Sequence, residues 1–167
     1  MAQSATAGNG RRLTIRDAGH PLLDDVALQI IEQLQQDGRR PYAAIGKAVG
    51  LSEAAVRQRV QRLLDAGVMQ IVAVTDPLQI GFHRQAMLGV RTTGDLQAIA
   101  DRIAELDECT YVVITAGSFE ILTEVVCRND DHLLEILQRI RSVEGVLSTE
   151  AFVYLKLRKQ TYSWGTA

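Results

Sequence analysis

The chain has 167 residues, of which 47% are hydrophobic and 23% are charged, and its formal net charge at pH 7 is −2. This length and composition allow one ordinary globular domain or two small ones, and they exclude a chain too polar to bury a core. Since no apolar run is long enough for a signal peptide or a membrane span, we expect a protein that stays in the cytoplasm and crosses no membrane.

The two cysteines, Cys109 and Cys127, lie in apolar runs that are typical of strands. A free thiol in such a position behaves as a small hydrophobic group. The sequence has no Cys-x-x-Cys motif and no histidine cluster. We therefore expect neither a disulfide nor a metal site, and nothing in the sequence indicates a cofactor.

Charge is distributed unevenly along the chain. Residues 39–62 include six basic side chains and one acidic side chain, whereas the sequence from Val68 onward has nine basic and thirteen acidic ones. This division predicts a basic module that faces a polyanion and a separate acidic module. The alternative is that residues 39–62 form ordinary helices with basic surfaces.

The first ordered element is predicted after a polar tail at residues 1–20. Apolar residues recur at helical spacing from Leu22 onward, and Gly38 closes this first helix. Two more short helices follow, which together predict a helix-turn-helix domain at residues 21–68.

Turn and cap residues delimit the second and third helices. Pro41 suits the start of the second helix, and Gly50 can adopt the left-handed conformation at its end. Ser52 is the expected N-cap of the third helix. The third helix then carries a single apolar stripe, which consists of Val56, Val60, Leu63 and Leu64.

The opposite face of the third helix is suited to DNA. Small residues near its start would let the backbone approach base edges, and Gln58 could hydrogen-bond to adenine. Arginines at the flanks could reach phosphates, which supply affinity and orientation. The candidate DNA-binding residues are Arg39, Arg40, Ser52, Glu53, Ala54, Ala55, Arg57, Gln58, Arg59, Gln61 and Arg62.

After Gly67 the apolar period changes from that of a helix to that of a strand. Met69–Thr75 is predicted to be a strand, and Pro77 ends it because proline cannot donate to a ladder. Residues 69–82 are therefore predicted to form a strand and a linker between two domains.

Residues 83–160 contain an internal repeat, in which Val90–Val112 corresponds to Cys127–Thr149. Each copy has the pattern strand, polar turn, amphipathic helix, acidic corner and strand. Two such units predict an α+β fold of the ferredoxin-like βαββαβ order, with a four-stranded antiparallel sheet and both helices on one face. The predicted strands are 84–93, 110–116, 119–128 and 146–158, and residues 161–167 are predicted to be a tail.

The other face of that sheet is predicted to be open and to carry aromatic residues, including Phe152 and Tyr154. Exposed aromatic residues on an open face indicate a partner. A second copy of the chain is the most economical partner, because dimeric DNA-binding proteins match two-fold operators.

In this order, the two modules resemble the Lrp/AsnC, or feast/famine, family of bacterial and archaeal transcriptional regulators over Leu23–Gln160. The matching segments are LDDVALQIIEQLQQDGR, GLSEAAVRQRVQRLLDAGV, DPLQIGF and TAGSFEILTEVVCRN. The resemblance implies a helix-turn-helix domain that binds double-stranded DNA and a ferredoxin-like domain that senses an amino acid or a related effector. It also implies homodimers built through the sheets, which assemble in many members into octamers.

The resemblance further implies an effector site at the turn between the second and third strands of the sensing domain. The family commonly has Gly-Asp-aromatic-Asp there, whereas this chain has Gly117, Ser118, Phe119 and Glu120. Glu120 offers a carboxylate to an ammonium group, and Ser118 offers only a hydroxyl. From the residues alone, the same stretch could be a plain hairpin turn.

The second helix also departs from the family pattern. Pro41 stands where the family often has a serine-type cap, and Gly46 replaces a usual alanine. The glycine lowers the intrinsic helix propensity by roughly 1 kcal/mol.

Catalysis has little support in the sequence. His20, His83 and His132 are scattered, and no nucleophile motif, phosphate-binding loop or paired carboxylates accompany them. We therefore expect a regulator and not an enzyme. Two alternatives remain at this point: an architectural DNA-binding protein without an effector, and an enzyme similar to the ferredoxin-like decarboxylases of haem biosynthesis.

Overall fold

The computed structural model describes residues 22–166, so the tail predicted at residues 1–20 lies outside the described residues. The chain divides into two compact units. The first contains the described residues up to Ala73 together with those from Gln160, and the second contains Val74–Lys159.

The first unit consists of three helices, as the sequence predicts. They are α1 at Asp25–Gln36, α2 at Tyr42–Val49 and α3 at Glu53–Asp65. The Asp24 carboxylate caps α1 by accepting the N–H of Ala27 at 2.8 Å. The predicted N-cap of α3 is confirmed, since the Ser52 hydroxyl accepts the N–H of Ala55 at 3.2 Å.

One small core holds the three helices together. Its buried members come from all three helices, and they are Ile30, Leu34, Ile45, Val56 and Val60. The turn between α2 and α3 is tight, and Gly50 has the predicted left-handed conformation with a φ of 74°. Gly46 is buried in α2 beside this turn, and a methyl group added there would overlap the carbonyl oxygen of Leu51. Glycine therefore allows the close approach of α2 to this turn.

The second unit has the predicted ferredoxin-like fold. Its elements in order are β1 at Arg84–Thr92, α4 at Leu96–Ala104, β2 at Cys109–Ile114, β3 at Ile121–Cys127, α5 at Asp130–Arg141 and β4 at Val146–Val153. The strands form one four-stranded sheet in the order β2-β3-β1-β4, and every neighbouring pair is antiparallel.

The core of this unit lies between one face of the sheet and the two helices. Alternate residues of β1 and β3 point into it, together with one face each of α4 and α5. The buried members are Ala86, Leu88, Val90, Ile99, Ala100, Ile103, Ile121, Val125, Cys127, Leu133, Ile136 and Ile140. Both cysteines are free thiols in the structure, and burial raises the pKa of Cys127 to about 11.

Two strand predictions are wrong. Met69–Thr75 is not a strand in the structure, although its residues have strand-like periodicity. A strand needs a hydrogen-bonded neighbour, and none of the described strands runs beside this segment. The last strand ends at Val153 and not at residue 158: its last ladder pair is Ala86 with Val153, and one more bond follows, from the Tyr154 N–H to the carbonyl oxygen of Gln85 at 2.9 Å. Leu155 beyond it is 96% exposed.

The last described residues contact α1. The side-chain amide of Gln35 donates to the carbonyl oxygen of Gly165 at 3.3 Å and accepts the N–H of Gly165 at 3.0 Å. The Thr166 hydroxyl donates to Glu32 at 2.5 Å. Periodicity does not predict these contacts, because the segment has no regular secondary structure.

None of the helices among the described residues is long and apolar enough to span a membrane.

Candidate DNA interface and effector turn

Helix α3 exposes the face that the sequence assigns to DNA. Glu53, Ala54, Arg57, Gln58 and Gln61 are exposed, whereas Val56, Val60 and Leu63 are buried against the other helices. Ser52 and Arg62, at the two ends of the candidate surface, are exposed as well, and Ala55 is half-buried. The side chains that could read bases therefore share one accessible surface.

Arg57 is held on this surface by two neighbours. Its guanidinium donates to the Glu53 carboxylate at 2.6 Å, one helical turn away, and it lies 5.4 Å from the centre of the Tyr42 ring. Both partners of the ion pair are more than half exposed. An exposed ion pair contributes little, so a phosphate could replace Glu53 as the partner of Arg57.

Arg59 has a different position from the other candidate arginines. Its guanidinium donates to both carboxylate oxygens of Asp24, at 2.8 and 2.7 Å, and its side chain is 35% exposed. This hydrogen bond holds the pKa of Asp24 below its ordinary value of 3.8. Arg59 thus connects α3 to the start of α1, whereas the sequence assigns it to phosphates.

The remaining basic candidates lie before α2. Arg39 is exposed, Arg40 is half-buried, and the backbone N–H groups of both bond to Asp37. Arg39 and Arg40 begin the basic stretch at residues 39–62, so their guanidinium groups could reach a phosphate backbone that lies along it.

The predicted effector turn connects β2 and β3, and it is closed by hydrogen bonds across its base. The Thr115 N–H donates to the carbonyl oxygen of Glu120 at 2.9 Å, and the Thr115 hydroxyl donates to that of Phe119 at 2.6 Å. Gly117 and Ser118 are exposed at the tip. A methyl group added at Gly117 would meet no atom within 4 Å, so there is room for a larger side chain at this position.

Phe119 folds back from this turn onto the open face of the sheet. Its ring lies over Gly89 of β1, so closely that an added Cβ at Gly89 would come within 2.6 to 2.8 Å of three ring atoms. The Phe152 ring meets it edge to face at 6.1 Å, and the Arg91 guanidinium lies 5.5 Å from its centre. Phe119 therefore lies over the face formed by β1 and β4 and is half-buried there.

Glu120 is fixed to the end of β1. Its carboxylate accepts the N–H of Thr92 at 2.9 Å, and its own N–H donates to the carbonyl oxygen of Val90 at 3.2 Å. The four predicted residues are thus brought together in one turn, but the two bulky side chains face the sheet. Sequence reasoning missed Gly89, Arg91 and Thr92, because no local pattern links them to a turn almost 30 residues away.

The rest of the open face carries a polar network beside the aromatic residues. Glu124 accepts from the Gln85 amide at 3.1 Å and from the Tyr154 hydroxyl at 2.9 Å. Burial and the neighbouring carboxylate raise the pKa of Tyr154 to about 12. Tyr111 and Phe152 stay 53% and 45% exposed, which confirms the predicted aromatic character of this face.

Ionisable clusters elsewhere do not form a metal site. Among residues 22–166, no group of three or more His, Cys, Asp or Glu side chains could hold a metal ion. Glu108 accepts from Arg139 at 2.8 Å and lies 3.5 Å from the imidazole of His132. Burial raises the pKa of Glu108, but hydrogen bonds from its own backbone and from Arg139 outweigh burial and hold it below its ordinary value.

Two family models match the chain, one for each unit. Residues 23–64 match the AsnC-type helix-turn-helix domain, and residues 85–164 match the Lrp/AsnC ligand binding domain. Among curated proteins, the chain is 31% identical to the HTH-type transcriptional regulator FL11 of Pyrococcus furiosus, over 84% of this chain and 94% of that protein. It is 27% identical to the regulatory protein AsnC of Escherichia coli, over 81% and 91%.

Solved structures show the same architecture. The leucine response regulatory protein of Mycobacterium tuberculosis superposes with a TM-score of 0.75 at 27% identity, over 83% of this chain and 96% of that one. A transcriptional regulator from Neisseria meningitidis in complex with L-Met gives a TM-score of 0.71 at 24% identity, over 84% and 95%. The latter likeness shows the fold alone.

Proposed function

The chain belongs to the Lrp/AsnC family of transcriptional regulators, and on that premise we propose that it binds specific DNA sequences through α3 and responds to an amino acid. The observation that carries the DNA assignment is the exposed face of α3 with its buried opposite side. The helix begins at a capped N-terminus after a tight turn, which is the geometry of a recognition helix in the major groove.

The side chains of α3 divide into two roles. Gln58 is exposed in the middle of the face and has the donor and acceptor that adenine requires. Arg57, Arg62 and the two arginines before α2 carry charge at its edges, where phosphates supply affinity without sequence choice. Arg59 pairs with Asp24, so its guanidinium connects α3 to the start of α1.

Substitution of Arg57 and Gln58 tests this division. Arg57→Ala is expected to weaken binding to every duplex and to reduce the slope of log affinity against log salt by about 1. Gln58→Ala is expected to change the preferred site, with a loss of about 1–3 kcal/mol of discrimination at one base pair. Selection from a random duplex library and fluorescence anisotropy measure the two effects. Arg102→Ala and Gln138→Ala, at exposed positions on α4 and α5, are the matched controls.

Retention of both site preference and salt slope in the two α3 variants would show that this face does not contact DNA. An equal effect of the control variants would show that overall charge, and not the face of α3, governs binding.

The effector assignment rests on the turn at Gly117–Glu120. Its tip is exposed, its base is closed, and its aromatic residue is in contact with the sheet, so a ligand would meet a preformed surface. The Neisseria regulator was solved with L-Met, which makes free amino acids the first class of ligand to test.

A thermal-shift screen with the twenty free amino acids tests the effector assignment. A ligand at 100 times its dissociation constant adds about 2.7 kcal/mol to the stability of the native state, which raises the melting temperature. At least one amino acid is expected to give such a shift. A silent screen would support an architectural DNA-binding protein that needs no effector.

Two copies are proposed to pair through the open face of the sheet. The exposed aromatic residues on this face, Tyr111 and Phe152, support this pairing, because a monomer rarely leaves a wide apolar patch uncovered. Assembly of dimers into an octamer is the finer prediction. Sedimentation equilibrium is expected to give an even number of chains, and Phe152→Glu is expected to lower it to a monomer.

A further inference from the structure

We propose that Glu120 is a positioning residue that fastens the Gly117–Glu120 turn to strand β1, and that it is not itself a ligand of the effector. This role rests on the effector function proposed above for the turn. It differs from the role that the family pattern implies, in which the carboxylate would meet the ammonium group of an amino acid.

Glu120 is bonded to β1 through its backbone and its side chain together. The backbone N–H donates to Val90 and the carboxylate accepts from Thr92, so two bonds to residues two apart on one strand fix its position. The side chain is half-buried as a consequence. An aspartate is one methylene shorter, so the longer glutamate in this chain suits a reach back to the end of the strand.

A carboxylate that accepts a backbone N–H makes a charge-assisted bond, which is stronger than a bond between neutral groups. To turn toward an effector, the Glu120 side chain would leave the half-buried N–H of Thr92 without its partner. Breaking this charge-assisted bond costs free energy, which favours the bonded position over the ligand-bound one. The effector would then meet the tip of the turn, at Gly117 and Ser118.

Phe119 supplies the second attachment of the same turn. Its ring is seated on Gly89 and contacts Phe152 and Arg91, all on the open face of the sheet. A methyl group at Gly89 would overlap the Cγ atom of Phe119, which joins the ring to the rest of the side chain, so the whole ring would have to move. Gly89 is therefore also a positioning residue, because it leaves room for the side chain next to Glu120.

Hydrogen exchange at single amides tests the fastening without any effector. In Glu120→Ala, the exchange rate of the Thr92 amide is expected to rise about tenfold or more, as the loss of one hydrogen bond implies. In Glu120→Gln, the side-chain carbonyl oxygen can still accept this N–H, so the rise is expected to stay below about threefold. The Thr93 amide, which donates to Gly145 at 2.8 Å, is the internal control and should not change.

Thermal shift with the twenty free amino acids then tests the role in binding. Glu120→Gln is expected to keep the shift of the wild-type protein, whereas Glu120→Ala is expected to lose it. A shift lost in Glu120→Gln while Thr92 stays protected would show that the carboxylate contacts the effector, and would overturn the proposal. Unchanged Thr92 exchange in Glu120→Ala would overturn it too.

The two proposals can fail separately. A silent wild-type screen removes the effector function, while a selective rise of Thr92 exchange in Glu120→Ala still supports the fastening of the turn. Gly89→Ala gives an independent test with the carboxylate intact, since it is expected to raise Thr92 exchange as well. In a Phe119→Ala background, Gly89→Ala should add little, and fully additive effects would show that Gly89 does not seat the ring.

Discussion

The α2–α3 turn and the Gly117–Glu120 turn are both short connections, but they are held by different kinds of contact. In the first, the Ser52 hydroxyl accepts the N–H of Ala55, three positions away, and Arg57 pairs with Glu53, four positions away. In the second, Glu120 bonds to Thr92, 28 residues away, and Phe119 lies on Gly89. The start of α3 is therefore fixed by contacts within four residues, whereas the proposed effector turn depends on the sheet beneath it.

The largest expected effect comes from the removal of a core side chain in each unit. Ile45→Ala and Ile136→Ala both remove fully buried methyl groups, and each is expected to cost about 2–5 kcal/mol. Urea titration measures the cost, and hydrogen exchange locates it. Ile136→Ala should loosen the Thr92 amide together with the sheet, whereas Ile45→Ala should loosen the α3 amides. A cost below about 1 kcal/mol at Ile45 would mean that α1–α3 do not depend on their own core.

Gly46→Ala tests the tight packing of the local turn. Alanine gains roughly 1 kcal/mol of helix propensity, but its methyl group would overlap the carbonyl oxygen of Leu51, which is backbone and cannot rotate away. Overpacking typically costs about 1–3 kcal/mol, so a net loss of stability and weaker DNA binding are expected. Gly38→Ala is the control, since its added methyl would have only ordinary contacts at 3.8 Å. A stabilised Gly46→Ala protein would show that the turn can relax.

Ser52→Ala tests the cap at the start of α3. The loss of the hydrogen bond to Ala55 is expected to cost about 1 kcal/mol, and Ser52→Asp should keep most of the stability because aspartate also caps well. Denaturant midpoints measure both. Equal losses in the two variants would show that the cap does not matter and that the hydroxyl has another role.

The smallest expected effect is a pH dependence that originates at Asp24. Because Arg59 lowers the pKa of Asp24 in the folded protein, the stabilisation is present above the ordinary pKa of 3.8 and is lost as the pH falls through the lower, folded value. The wild-type denaturant midpoint should therefore fall more steeply below about pH 4 than that of Asp24→Asn, which still caps α1. Parallel curves for the two proteins would mean that the Asp24–Arg59 pair contributes nothing.

Much of the fold could be predicted because it follows from short-range patterns. The apolar stripe of α3, the Ser52 cap and the left-handed Gly50 each depend on residues within about one helical turn. The repeated strand–helix–strand pattern predicted the sheet, because apolar residues alternate along a strand but recur every three to four residues along a helix. The strand prediction at Met69–Thr75 was wrong because periodicity depends only on the residues of the segment, whereas a strand also needs a second strand to pair with.

By itself, the sequence determined the three helices of the first unit, the βαββαβ order of the second, where the basic stretch lies and where the turn between β2 and β3 falls. Only the tertiary structure decided what those residues contact. Arg59 pairs with Asp24 at the start of α1, and Glu120 bonds to Thr92 at the end of β1. Both outcomes depend on groups far apart in sequence that the fold brings within 3 Å, and a charged side chain takes the nearest well-oriented partner. Residue type fixes what a side chain can bind, and the fold fixes which partner it meets.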